Sequence, residues 1–129
     1  MHLNDNIISQ LLKTAKEHAK SNQFAEALQV LDKALAIDPY HPLVHYEIGH
    51  LQRQLGQLHE ALDAYTKVIA LLPNDHLAHL AQSYVLHELQ KHEEALAACE
   101  RALQLSSNDH LSLLHKANLL MSLNQPQDA

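Results

Sequence analysis

Apolar residues return every three or four positions along most of the chain, the spacing that gathers them on one side of a helix. Leu28, Leu31 and Leu35 form one such stripe, Leu62, Tyr65 and Ile69 the next, and Leu96, Cys99 and Leu103 a third. Two kinds of interruption separate the stripes. The first holds Asn22, Gly56, Gln90 and Asn124, spaced 34 residues apart. Glycine and asparagine tolerate the left-handed conformation that closes a helix, so this column predicts the tight turn inside a helical hairpin, with Gln90 its poorest match. The second holds Asp38-Pro39, Leu72-Pro73 and Ser106-Ser107. Proline cannot continue a helix and disfavours the helical conformation just before it, while Pro42 suits the first turn of the helix that follows. The pattern predicts helices near 7–20, 24–37, 42–54, 58–71, 76–88, 92–105 and 110–123.

The 34-residue period extends to side chains. Glu-Ala-Leu occurs at 26–28, 60–62 and 94–96, and Asn-Asp-His-Leu at 74–77 and 108–111. Ala34, Val68 and Ala102 share a column, as do Leu35, Ile69 and Leu103, and Ile37, Leu71 and Leu105. Small residues fill two further columns, Ala27, Ala61 and Ala95 in one and Ala15, Gly49, Ser83 and Ala117 in the other. A bulky side chain at these places would hold paired helices apart.

A helix–turn–helix unit of this length resembles the tetratricopeptide repeat. Ile48-Gly49, Ala61, Tyr65 and Pro73 stand at that family's Leu-Gly, Ala, aromatic and Pro places. Ala15, Ala27, Leu31, Ala34 and Pro39 repeat the pattern before them; Ser83, Ala95, Cys99 and Ala102 repeat it after, with Ser107 replacing the proline. The family's Trp and first Tyr are absent. Leu11, His45, His79 and Leu113 replace one, and His18, Gln52, Leu86 and Leu120 the other. The resemblance implies an all-α, right-handed superhelical array of antiparallel hairpins with seven helices. It would be a single domain over 1–129, with repeats at about 8–41, 42–75 and 76–109 and a partial one at 110–129.

The resemblance also implies a function. Such arrays are non-catalytic scaffolds that bind a peptide or partner segment in a concave groove lined by the first helix of each hairpin. The matching places here are Leu12, Tyr46, Leu80 and Leu114 in one row, Lys16, His50, Tyr84 and Asn118 in the next, and Ala19, Arg53, His87 and Met121 beyond. Tyr and Met offer adaptable contact area, and His50, Arg53 and Asn118 can hydrogen-bond an extended backbone. One subgroup grips the terminal carboxylate of heat-shock chaperones with Lys and Asn. Its places hold Leu12, Lys16, Glu47, Leu77 and Ala81, or, one repeat later, Tyr46, His50, Ala81, Leu111 and His115. Neither set matches, so that mechanism is not expected.

Composition narrows the alternatives. Hydrophobic residues make up 47% of 129, with two glycines, too few for a Gly-rich nucleotide cradle. Nine Lys+Arg against fifteen Asp+Glu give a net charge of −6, opposite to a nucleic-acid-binding footprint, and Lys13, Lys16 and Lys20 read as a solvated stripe. Protonating all twelve histidines would carry the charge from −6 to +6, so solubility is expected to dip near pH 6. No apolar run suits a secretory signal or a membrane span, and the lone Cys99 reads as a core residue, so a cytoplasmic protein with no disulfide is expected.

His41 with His45, and His76 with His79, have the spacing of a metal pair, but two ligands are too few and neither set gains a third. No metal, cofactor or catalytic residue is therefore expected. Counting on by 34 from Ala95 reaches Ala129, so the chain reads as the amino-terminal piece of a longer repeat protein. On that reading Leu111, Leu113, Leu114, Leu119, Leu120, Met121 and Leu123 load the last helix with apolar surface suited to self-association. The alternative function is the recognition arm of a larger enzyme, such as a glycosyl- or sulfotransferase.

Overall fold

The computed structural model describes residues 2–124, and among them the chain forms seven helices. They are α1 (His2–Lys20), α2 (Phe24–Ile37), α3 (Pro42–Gln54), α4 (Leu58–Leu71), α5 (His76–Glu88), α6 (His92–Leu105) and α7 (His110–Asn124). Two compact units divide them, Met1–Leu71 and Leu72–Ala129. Six of the seven predicted helices start at the expected residue. The exception, α1, begins at His2 rather than near 7, because its first turns carry polar residues that leave no apolar stripe to read. Pro126 and Ala129 lie outside the described residues.

The turn column has the backbone the sequence predicts. Asn22, Gly56 and Gln90 have φ of 61°, 78° and 66°, so even the poorly suited glutamine is left-handed. Each turn closes the same way. In the first, the Gln23 amide donates to the His18 carbonyl at 2.8 Å and the Asn22 amide to Ala19 at 3.0 Å, the paired bonds that satisfy a helix end. Gln57 to Gln52 and Gly56 to Arg53 repeat this, as do Lys91 to Leu86 and Gln90 to His87. The carbonyls of Gln23, Gln57 and Lys91 then accept from Ala27, Ala61 and Ala95, starting the second helix of each hairpin. Asn124 departs from its column and remains helical as the last residue of α7, for no helix follows it among the described residues.

In the first unit, α1 pairs with α2, α3 with α4, and α2 with α3 around Ile8, Leu12, Ala15, Ala27, Leu31, Ala34, Val44, Ile48, Leu51 and Ala64. Gly49 has a steric reason to lack a side chain: a Cβ there would come within 2.6 Å of Cε1 of the fully buried Tyr65. In the second unit, α6 packs on both α5 and α7, burying Ala95, Ala98, Cys99, Ala102 and Leu119. Ala27, Ala61, Ala95, Ala15, Gly49 and Ser83 are all buried as the small columns require. Ala117 is exposed instead, since no second helix follows α7 among the described residues to close on it.

Two histidines fasten the links between hairpins. Nε2 of His45 donates to the Pro39 carbonyl at 2.8 Å, and Nε2 of His79 to the Pro73 carbonyl at 3.0 Å. Both rings are buried in the aromatic column of the repeat, and each ties the proline three residues ahead of its helix to that helix. Asp75 and Asp109 cap α5 and α7, accepting from the amides of Leu77 at 3.0 Å and Ser112 at 3.1 Å. The bonds from Ser112 hold the Asp109 carboxyl below its ordinary pKa. No helix among the described residues is long and apolar enough to cross a membrane.

Candidate functional site

The first-helix face of the first unit is built on α1 and α3. Tyr46 lies against His50, ring centroids 4.6 Å apart, and both meet Tyr65 edge-on at 5.7 and 5.6 Å. The space left by Gly49 admits Tyr65, whose hydroxyl is hydrogen-bonded to Nδ1 of His50 at 2.9 Å. Burial pushes the His50 pKa down, Arg53 adds to the effect and Glu47 opposes it, so His50 is uncharged at neutral pH. Tyr46, His50 and Arg53 are half-buried and Lys16 is exposed. This face offers fixed ring surface, two cationic side chains and a neutral imidazole.

The second unit arrives at a similar surface by different residues. Tyr84 lies against His115 at 4.2 Å, and His87 meets the same imidazole edge-on at 5.8 Å. His115 is buried, and its position is set by a short relay. The Ser83 hydroxyl donates to the Ala95 carbonyl at 2.6 Å, which spends its one proton, so Nε2–H of His115 donates to Ser83 Oγ at 2.9 Å. Serine in the small column thus ties α5, α6 and α7 together. Tyr84 and His87 are half-buried, while Leu114 and Asn118 are exposed.

Leu12 and Leu80, at 8% and 3% exposure, are core residues, so in their row the contact surface falls to Tyr46 and Leu114. Of the residues beyond, Ala19 is half-buried and Met121 is exposed. His45 and His79 each donate Nε2–H to a carbonyl, and Nδ1 of His41 accepts from the Val44 amide at 3.4 Å as a helix cap. No group of three or more His, Cys, Asp or Glu among the described residues is placed to hold a metal ion. Cys99 is buried, its thiol donates to the Ser112 carbonyl at 3.2 Å, and burial pushes its pKa up, all of which disfavour a reactive thiolate.

Sequence reasoning missed His92 and the role of His115. Nδ1 of His87 and Nδ1 of His92 are 2.9 Å apart across the turn at Gln90. A straight helix does not bring together residues five apart, but the left-handed turn does. The same spacing joins His18 Nδ1 to Gln23 Oε1 at 2.8 Å in the first hairpin, so the turn column was the signal that identifies such pairs. His115 and Ser83 are 32 residues apart, and no local pattern links them.

A family model described as Tetratricopeptide repeat matches residues 46–110, and one described as TPR repeat matches residues 15–56. No curated protein matches the chain. Among solved structures, the first TPR of Spaghetti (RPAP3), described as bound to the HSP90 peptide SRMEEVD, is similar with a TM-score of 0.87 at 22% identity, covering 93% of this chain and 95% of that one. The Sgt2 TPR domain from Aspergillus fumigatus gives 0.84 at 14% identity over 95% of this chain and 87% of that one. A mutant O-GlcNAc transferase from Thermobaculum terrenum gives 0.83 at 21% over 91% of this chain, but only 22% of that longer one. At these identities the likeness shows the fold.

Proposed function

The chain belongs to the tetratricopeptide repeat family, and from that premise we propose that it is a non-catalytic protein-interaction scaffold whose first-helix faces bind an extended peptide or partner segment. The observation that carries this reading is the ring surface held ready in each unit, Tyr46 on His50 in one and Tyr84 on His115 in the other. Packing locks these rings before any ligand arrives, so little side-chain entropy is lost on contact. Partly buried tyrosines are enriched among the residues that dominate binding energy at interfaces. Lys16, Arg53 and Asn118 are the polar handles beside them, and no carboxylate belongs to the assigned set. A segment with apolar or aromatic side chains fits this chemistry; a ligand gripped only by its terminal carboxylate does not, because the places for that grip hold Leu12, Lys16, Glu47, Leu77 and Ala81.

The test is affinity capture from lysate with the wild type and with Tyr46→Ala/Tyr84→Ala, each bound protein being identified by mass spectrometry. The double variant is expected to lose specific partners while its helical circular dichroism stays unchanged. Identical catches from both would remove the first-helix faces from the account. The likeness to 22% of a glycosyltransferase chain keeps a second reading in view, a recognition arm of a larger enzyme, which a reading frame encoding a long carboxy-terminal domain would favour.

A further inference from the structure

Within the first unit, α3 serves two surfaces. Tyr46, His50 and Arg53 belong to the first-helix face, whereas His45, Ile48 and Gln52 line a groove shared with α2 and α4. The groove has two parts, of about 260 and 360 Å³, and they adjoin, since His45 and Lys67 line both. Three carboxylates, those of Asp32, Glu60 and Asp63, stand around the smaller part against the single amine of Lys67. The larger part is apolar, walled by Pro39, Ala70, Leu71 and Tyr40, whose side chain is 74% exposed.

The remaining polar atoms of the smaller part lack donors. His45 is only 7% exposed and gives its Nε2–H to the Pro39 carbonyl, which leaves a lone pair on Nδ1 with no donor among the described residues. In its counterpart His79 the unpartnered Nδ1 is sealed from solvent; in His45 that atom stays accessible, and the ring lines the groove. Oε1 of Gln52 is buried and also lacks a donor. Repeat geometry does not require this set. One period later Asp32, Tyr40, Asp63 and Ala70 become Thr66, Asn74, Ala97 and Gln104, although the buried Ala64 is kept as Ala98.

Carboxylates beside unpaired acceptors suit a guanidinium, which carries several donors in one plane and accepts nothing. Asp63 and Ala70 lie seven residues apart on one side of α4, about 10 Å at the helical rise. A polyproline II chain turns the same side outward at every third residue, about 9 Å along. We propose that this groove docks a partner segment in the polyproline II conformation, with an arginine among the carboxylates and a bulky apolar side chain, three residues away, in the crevice beside Tyr40.

The probe is the capped peptide Arg-Pro-Pro-Phe-Pro-Pro-Arg, which offers the pair in both chain directions. Titrated into the folded protein and followed by nuclear magnetic resonance, it is expected to shift the amide signals of Asp32, Tyr40, His45 and Lys67 ahead of those of Tyr84 and Asn118. Asp32→Asn/Asp63→Asn, which alters two exposed side chains and spares the core, is expected to weaken binding about fivefold. Replacing both arginines of the peptide by Glu, or its Phe by Ser, should weaken it as well. Tyr46→Ala/Tyr84→Ala is expected to leave this binding unchanged, so failure here and failure of the first-helix faces are told apart. An absence of shifts up to about 1 mM peptide, shifts centred on the first-helix faces, or equal binding of the Glu peptide overturns the proposal.

Discussion

Gly49 and Gln90 are the residues at which backbone and side-chain requirements are most sharply opposed. Gly49→Ala would place a methyl group 2.6 Å from the Tyr65 ring, which is fully buried and cannot withdraw. Overpacking of this kind costs about 1–3 kcal/mol, to be seen as a lower urea midpoint. Gln90 has the opposite problem, a β-carbon in a conformation suited to glycine. Gln90→Gly is expected to stabilise the fold by about 0.5–1 kcal/mol, relief of the left-handed cost outweighing the entropy glycine loses on folding. His50 supplies a pH signature. Burial lowers its folded pKa, so the native state binds fewer protons than the unfolded chain. The stability it confers is whole above about pH 6.5 and is lost as pH falls below that value. Urea midpoints at pH 8 and pH 5.5 should therefore fall further in the wild type than in His50→Gln.

Elements are held in place by two repeated devices, one apolar and one polar. The apolar device is the alanine of Glu-Ala-Leu. Ala61 is completely buried, so Ala61→Arg must find room for a long side chain and bury its charge. The expected loss exceeds the roughly 1–3 kcal/mol of plain overpacking, and a wild-type melting temperature would show the repeat register to be misassigned. The polar device is the His45 and His79 bond to the carbonyl six residues earlier. His45→Phe keeps a ring in the aromatic column but removes the N–H donor, and is expected to cost about 0.5–1.5 kcal/mol in chemical denaturation. Leu113 stands in the same column of the last repeat and is exposed, so this fastening is specific to two of the links.

For the whole molecule, charge and uncovered apolar surface govern association. Net charge passes from −6 toward positive values as histidines protonate, and turbidity is expected to peak near pH 6. Leu111, Leu114 and Met121 on the first-helix face of α7, and Leu113 and Leu120 on another face, are each at least 40% accessible. If these uncovered side chains drive self-association, light scattering at rising concentration is expected to show mass above that of a monomer. A constant monomer mass would show that these side chains do not drive association.

Much of the hairpin pattern was legible from composition and spacing because its requirements are local. A left-handed turn at Asn22, Gly56 and Gln90, a proline after a helix and an apolar residue every third or fourth place each depend on a few neighbouring residues. The unaided chain therefore specified seven helices, their turns and the small residues between them. Which side chains remained available for chemistry was decided only in three dimensions. Leu12 and Leu80 sank into the core, His45 and His79 were buried and tied to carbonyls through Nε2–H, and His115 was locked by a serine 32 residues away. Those outcomes turn on distances of a few ångströms between helices, and a one-dimensional pattern carries the order of residues but not the separation of their atoms.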